Sequence, residues 1–178
     1  GNGLQGMGAP GGSVGPNMVD STPMDHPDIN PSNGYYVTYL YSPGLYIDFV
    51  IVSDRAVSDA KIVLRVTAET RGYALDPNLN DGTTESGTQY SQYTITLNEV
   101  PIEYPTIEVE GGWPAFQDFT LTLNATLKEG VNTIRLTTAN DHGMGGTMAG
   151  TAPVVDCIKI TTSANLSWDP ITSNEVGQ

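Results

Sequence analysis

A tryptophan set between a glycine pair and a proline, Gly111-Gly112-Trp113-Pro114, is the side chain of this sequence best suited to meet a ligand. No alternating apolar neighbour turns it inward, and a ring on a glycine hinge stands out toward water. An exposed indole is a flat apolar surface. Its natural complement is a ring with a C–H face and a hydroxyl rim, such as a pyranose. The rim then needs polar partners. Asn140 and Asp141, beside His142 in a Gly-rich stretch that directly follows a strand pattern, are placed to supply them. Tyr35 and Tyr36 are neighbours in an alternating run, so one of the pair faces outward. Tyr73, with Tyr90 and Tyr93, flanks a polar stretch over 71–90 that is long for a plain connection, which marks it as a candidate functional loop.

The acids raise a different question. Asp156 is flanked by Val154, Val155, Cys157 and Ile158. A carboxylate in such a strand is costly to bury unless a cation or several donors meet it. Two solutions are open: a calcium ion, or an arginine, for which Arg65 and Arg135 are the candidates. Asp20, Asp25 and Asp28 cluster beside His26 near the start of the chain, and Asp20 and Asp25 are the candidate calcium ligands there.

Catalytic patterns are weaker. Glycoside hydrolysis needs two carboxylates flanking one bond. Glu99, Glu103, Glu108 and Glu110 are available, yet they fall on short strands without an evident partner. The two histidines lie in no Gly-x-Ser-x-Gly context. Gly11-Gly12-Ser13-Val14-Gly15 has no following Lys-Ser/Thr and no helix signal, so it is not a phosphate cradle.

The elements that must position these residues read as strands. Alternation is dense over 35–41, 45–52, 60–70 and 93–98, and two short strands broken at Pro101 and Pro105 follow over 100–109. Strands over 119–123 and 131–138 meet across a Glu129-Gly130 turn. The last long strand covers 154–161, and 165–168 makes a short edge strand with Trp168 as a plug. Many short strands at roughly ten-residue spacing predict an all-β fold, a two-sheet antiparallel β-sandwich or jelly roll. Residues 1–34, rich in Gly, Pro, Asn and Asp, read as an irregular segment packed on a sandwich of 35–168, with a polar tail over 169–178.

At 178 residues the chain is long enough for one domain with a real core. Seven Lys and Arg against 20 Asp and Glu give a net charge of −13, which excludes a basic footprint for nucleic acid. No apolar run is long enough to span a membrane. The single cysteine, Cys157, reads as a small buried hydrophobe and defines no disulfide framework.

The wording Leu127-Lys-Glu-Gly130-Val-Asn132-Thr-Ile134-Arg-Leu136, then Pro153-Val-Val-Asp156-Cys-Ile158-Lys159, resembles extracellular carbohydrate-binding modules of families 6 and 35. The tyrosine-rich opening at Gly34-Tyr35-Tyr36 and the Gly112-Trp113 loop belong to the same likeness, which covers 35–159. The resemblance implies a galactose-binding-like jelly roll without catalytic activity, located outside the cell. Its partner would be a plant cell-wall-type polysaccharide or oligosaccharide, with no membrane or nucleic-acid role. It further implies a structural calcium with Asp156 among its ligands, and a sugar stacked on Trp113 with Tyr35 or Tyr36 opposite. Such modules accompany glycoside hydrolases or pectin lyases. Family 6 modules often carry a ligand-contacting Asn two residues ahead of the strand Asp, where this chain has Val154, so Asn140 or Asp141 would substitute. The Glu-x-Glu strand that usually opens these modules is not found, which predicts a start after that strand or an altered calcium site. Two other functions stay open on the residues alone: a structural or adhesive sandwich in a surface assembly, and a jelly-roll lyase or hydrolase.

Overall fold

The computed structural model describes residues 7–8, 17–20, 35–38, 46–67, 73–75, 93–105, 107–109, 116–138 and 154–168. Every helix-or-strand element among them is a strand. In chain order these are β1 (Met7–Gly8), β2 (Asn17–Asp20), β3 (Tyr35–Thr38), β4 (Tyr46–Ser53), β5 (Val57–Thr67) and β6 (Tyr73–Leu75). Then come β7 (Tyr93–Leu97), β8 (Val100–Pro101), β9 (Ile107–Val109), β10 (Gln117–Leu127), β11 (Gly130–Thr138), β12 (Val154–Thr161) and β13 (Leu166–Trp168). One sheet runs β1-β4-β11-β7-β8, with β13 also paired to β4. The other runs β10-β5-β12-β3-β2, and β6 pairs β9 in a small third sheet. All pairings are antiparallel, as the alternation predicts.

The core lies between the two large sheets and is built from one face of each strand. Ile47, Phe49 and Ile51 of β4 are buried, as are Ile62, Leu64 and Val66 of β5, Ile95 and Leu97 of β7, and Ile134 and Leu136 of β11. Their neighbours at odd offsets face outward, which is the period-2 signature of a sheet with one packed face. Each such side chain, buried from water, contributes on the order of 1.5–3 kcal/mol. Trp168 is partly buried and packs against this core.

Three features depart from the sequence reading. Residues 1–34 are expected to be irregular, but β1 pairs with β4 and β2 with β3. Both are too short to carry a periodic signal, so backbone pairing to a neighbouring strand defines them. Second, β10 and β11 do not pair across Glu129-Gly130: β10 joins β5, while β11 joins β4 and β7. The turn is a crossing between sheets. Gly130, at φ 88°, supplies its left-handed residue, and the Asn132 amide braces it by bonding to Lys128 N and O and to Gly130 O. Third, β7 turns into β8 through Asn98 and Glu99, both at positive φ (50° and 69°), a primed hairpin turn without glycine. Asn98 offsets that backbone cost by accepting from Thr133 N at 3.1 Å and donating through its amide to Asn132 at 2.8 Å.

The end of the sandwich at the β4–β5 link is closed by a polar knot. Asp54 accepts from Asn165 N (3.0 Å) and Nδ2 (2.6 Å). Asp59 accepts from the Thr162 hydroxyl and from Ser163 N (3.1 Å), and Arg55 donates to Ser163 O. The Asn165 side chain holds Asp54, and the Thr162 hydroxyl holds Asp59, below the ordinary value of 3.8. Carboxyls depressed in the folded state add stability above their unfolded pKa and lose it as pH falls through the folded one. The melting temperature is therefore expected to hold down to about pH 5 and to drop below about pH 4, more shallowly in Asp54→Asn/Asp59→Asn. Thermal melts across that range check it; identical acid limbs would show the knot carries no linkage.

Candidate functional site

Short links fix which strand ends lie together. Only residues 54–56 separate β4 from β5, and only 128–129 separate β10 from β11, so the knotted ends of both sheets coincide. At the opposite end β5 finishes, β10 and β12 begin with Gln117↔Val66 and Val154↔Thr67, and β11 finishes against the start of β7 with Thr138↔Tyr93. The strand ends that adjoin Trp113, Asn140 and Asp141 in the chain lie there. Trp113 precedes buried Phe116 by three residues, and Asn140 and Asp141 follow β11 by two and three. Tyr73 opens β6, and its register partner Val109 stands four residues ahead of Trp113. Trp113, Asn140, Asp141 and Asp25 themselves lie outside the described residues; of Tyr73, Tyr35, Tyr36 and Asp20 the backbone alone is described. Tyr35 and Tyr36 sit on β3 within the five-stranded sheet, with Asp20 of β2 across from Tyr35.

A chain of charges lies just under this end. Asp156 is buried, and Arg65 Nε donates to its Oδ2 at 2.7 Å. Arg65 Nη1 reaches Asp118 Oδ1 at 3.2 Å, and Lys159 Nζ lies 2.6 Å from Asp118 Oδ2. The Arg65 guanidinium also sits over the Phe116 ring, 5.8 Å from its centroid. Burial pushes the Asp118 carboxyl up, but the hydrogen bonds from Lys159 and Arg65 outweigh it and leave the group below its ordinary value. Of the two solutions open for Asp156, the described side chains fit the arginine. One carboxylate oxygen is already held by a guanidinium.

Arg135, the other candidate partner, serves a different acid. It donates to Asp48 through Nε and Nη2, both at 2.6 Å, and its guanidinium covers the Tyr46 ring at 4.0 Å from the centroid. The Asp48 hydrogen bonds raise the Arg135 pKa further. This pair lies in a groove of about 700 Å³ on the outer face of the six-stranded sheet. Thr96, Thr133 and Thr137 line it beside Asn98, Glu99 and Lys128. The sequence reading missed the groove; its signal was available in the outward-facing Asp48 of β4 and Arg135 of β11, which share a register position. Two acids and two bases leave the lining charge-balanced. Among the described residues the lining presents hydroxyls but no aromatic ring, and the Arg135 guanidinium covers a face of the nearby Tyr46 ring. A pyranose could bond there by its rim but would find no apolar platform.

No family model and no curated protein sequence matches this chain. Solved structures do. A family 35 carbohydrate-binding module from an environmental isolate matches with TM-score 0.52 and 14% identity, over 85% of this chain and 89% of that one. The module from Cellvibrio japonicus Abf62 matches with TM-score 0.53 and 14% identity, over 89% and 94%. A family 35 module from Clostridium thermocellum matches with TM-score 0.52 and 19% identity, over 83% and 89%. The fold is that of a family 35 carbohydrate-binding module. At these identities the likeness concerns architecture, and it bears out the two-sheet sandwich expected from the alternation.

Proposed function

We propose that this chain is a non-catalytic carbohydrate-binding module that holds a plant cell-wall-type polysaccharide at the loop end of the sandwich. What supports the reading is the convergence of strand ends: the start of β10, the finish of β11 and the start of β12, which adjoin Trp113, Asn140 and Asp141 in the chain, share one end of a fold like that of such modules. Trp113 stacks on the apolar face of a sugar ring, and Tyr73, Asn140 and Asp141 meet its hydroxyls. Tyr35 or Tyr36 faces the ring from β3. The protein works outside the cell, appended to a glycoside hydrolase or lyase that it keeps near its substrate. Calcium enters this reading through acids other than Asp156, namely Asp20 and Asp25 of the N-terminal segment.

One of the similar structures, with TM-score 0.51, 15% identity and coverage of 89% of this chain and 94% of that one, is a module in complex with a glucuronic acid-containing disaccharide. Glucuronoxylan therefore belongs in the test panel beside mannan, galactan and pectin. Affinity electrophoresis in gels holding each polysaccharide should show retarded migration in at least one, with no new reducing ends or unsaturated products on prolonged incubation. Product release would make the chain an enzyme. Unretarded migration in every gel would remove the binding reading.

A further inference from the structure

An arginine occupies the role that the family likeness gives to a metal. The register of β12 skips Asp156: Val155 pairs with Val66 and Cys157 with Arg65. The extra residue is a bulge, and it breaks the alternation, so that Val154, Val155 and Asp156 are buried in succession. Bulges re-aim side chains next to sites. This one delivers the Asp156 carboxylate, whose side chain is 0% exposed, to Arg65 Nε. The same guanidinium bonds Asp118, the second residue of β10, and lies over Phe116, the residue just ahead of that strand. One planar cation thus grips the feet of β10 and β12. The segments entering those two strands carry Trp113 on one side and Asn140 and Asp141 on the other. A divalent ion at Asp156 would have to displace the guanidinium from Oδ2 or stand against its positive charge.

We propose that Arg65, in place of a divalent metal, is the cation of Asp156, and that through this bond it positions the 110–115 and 139–153 segments for the ligand. The positioning half rests on the carbohydrate reading; the charge assignment does not.

Melting curves of the wild type, Arg65→Met, Arg65→Lys, Asp156→Asn and Arg65→Met/Asp156→Asn, each in excess EDTA and in excess calcium, decide the assignment. Arg65→Met should melt on the order of 10 °C lower, because the buried carboxylate loses the guanidinium that meets its Oδ2. The double variant should regain a large part of that loss, since the two residues act as a pair. Arg65→Lys, which keeps the charge without the planar fork, should fall between. Any calcium shift should be the same in the wild type and in Asp156→Asn. A calcium shift that Asp156→Asn abolishes would overturn the assignment, and so would an Arg65→Met protein that melts like the wild type.

For the positioning role, affinity for the polysaccharide that retards the wild type is measured well below every melting point. Arg65→Met should bind about tenfold more weakly, with most of the affinity recovered in Arg65→Lys. Unchanged affinity in Arg65→Met removes the positioning role. A wild type that binds no polysaccharide sinks the carbohydrate reading instead, and the melting arm still decides the charge assignment.

Discussion

Trp113→Ala should leave the sandwich folded and remove most of its hold on polysaccharide. An aromatic platform at the centre of a binding site contributes about 2 kcal/mol or more when truncated, which corresponds to at least about a thirtyfold loss of affinity. The fold should barely notice. The described core is assembled from β4, β5, β7, β10, β11 and β12, and position 113 falls in none of these strands. Changes of that kind usually shift stability by no more than about 0.5 kcal/mol. Titration calorimetry and a melting curve on the same preparation separate the two effects. A variant that binds as tightly as the wild type removes Trp113 from the site; one that melts far lower makes it a packing residue. A Trp168→Phe background leaves Trp113 as the sole indole, and its emission should move to shorter wavelength when polysaccharide is added.

The second large effect concerns stability. Asn132 is fully buried, and its amide is completely used. Oδ1 accepts from Lys128 N at 2.9 Å and from Asn98 Nδ2 at 2.8 Å. Nδ2 donates to Lys128 O at 2.8 Å and to Gly130 O at 3.0 Å. One side chain therefore braces the crossing from β10 to β11 and ties it to the β7–β8 turn. Asn132→Ala strands four polar atoms at once. Orphaned groups of this kind cost about 1–3 kcal/mol each when they cannot reach water, and partial solvation brings the total to about 3–5 kcal/mol. The melting temperature should drop by about 10 °C. Urea denaturation measures the loss directly; a change under about 1 kcal/mol would mean that water replaces the amide without penalty.

Asn132 also shows where the sequence was legible and where it was not. The run from Leu127 to Ile134 announces a turn through its glycine, yet nothing local says whether the flanking strands pair with each other or join different sheets. That choice depends on β4, β5 and β7, tens of residues away. Strands β4 and β5 were readable because one face of each is packed and the alternation is nearly unbroken, and β12 because its run is apolar. The Asn98–Glu99 turn was hidden because neither residue is a glycine. Asp156 was recognisable as an acid in need of a cation, and Arg65 was one of the named candidates. The decision needed the three-strand neighbourhood, since the partners stand 91 residues apart in the chain. The bulge that joins them leaves no trace in composition or period. Trp113 stands out in the sequence by its glycine and proline neighbours, and it lies outside the described residues, as do Asn140 and Asp141.

The border formed by β10 has a bearing on life beside other proteins. The strand pairs on one side with β5, through a register that shifts three times between Thr120 and Leu127, and it carries the ionic Asp118 near its start. Irregular, charged margins make poor templates for a foreign strand. At high local density, copies of the chain meet along such borders. A ragged border there favours separate molecules over stacked, fibril-like aggregates.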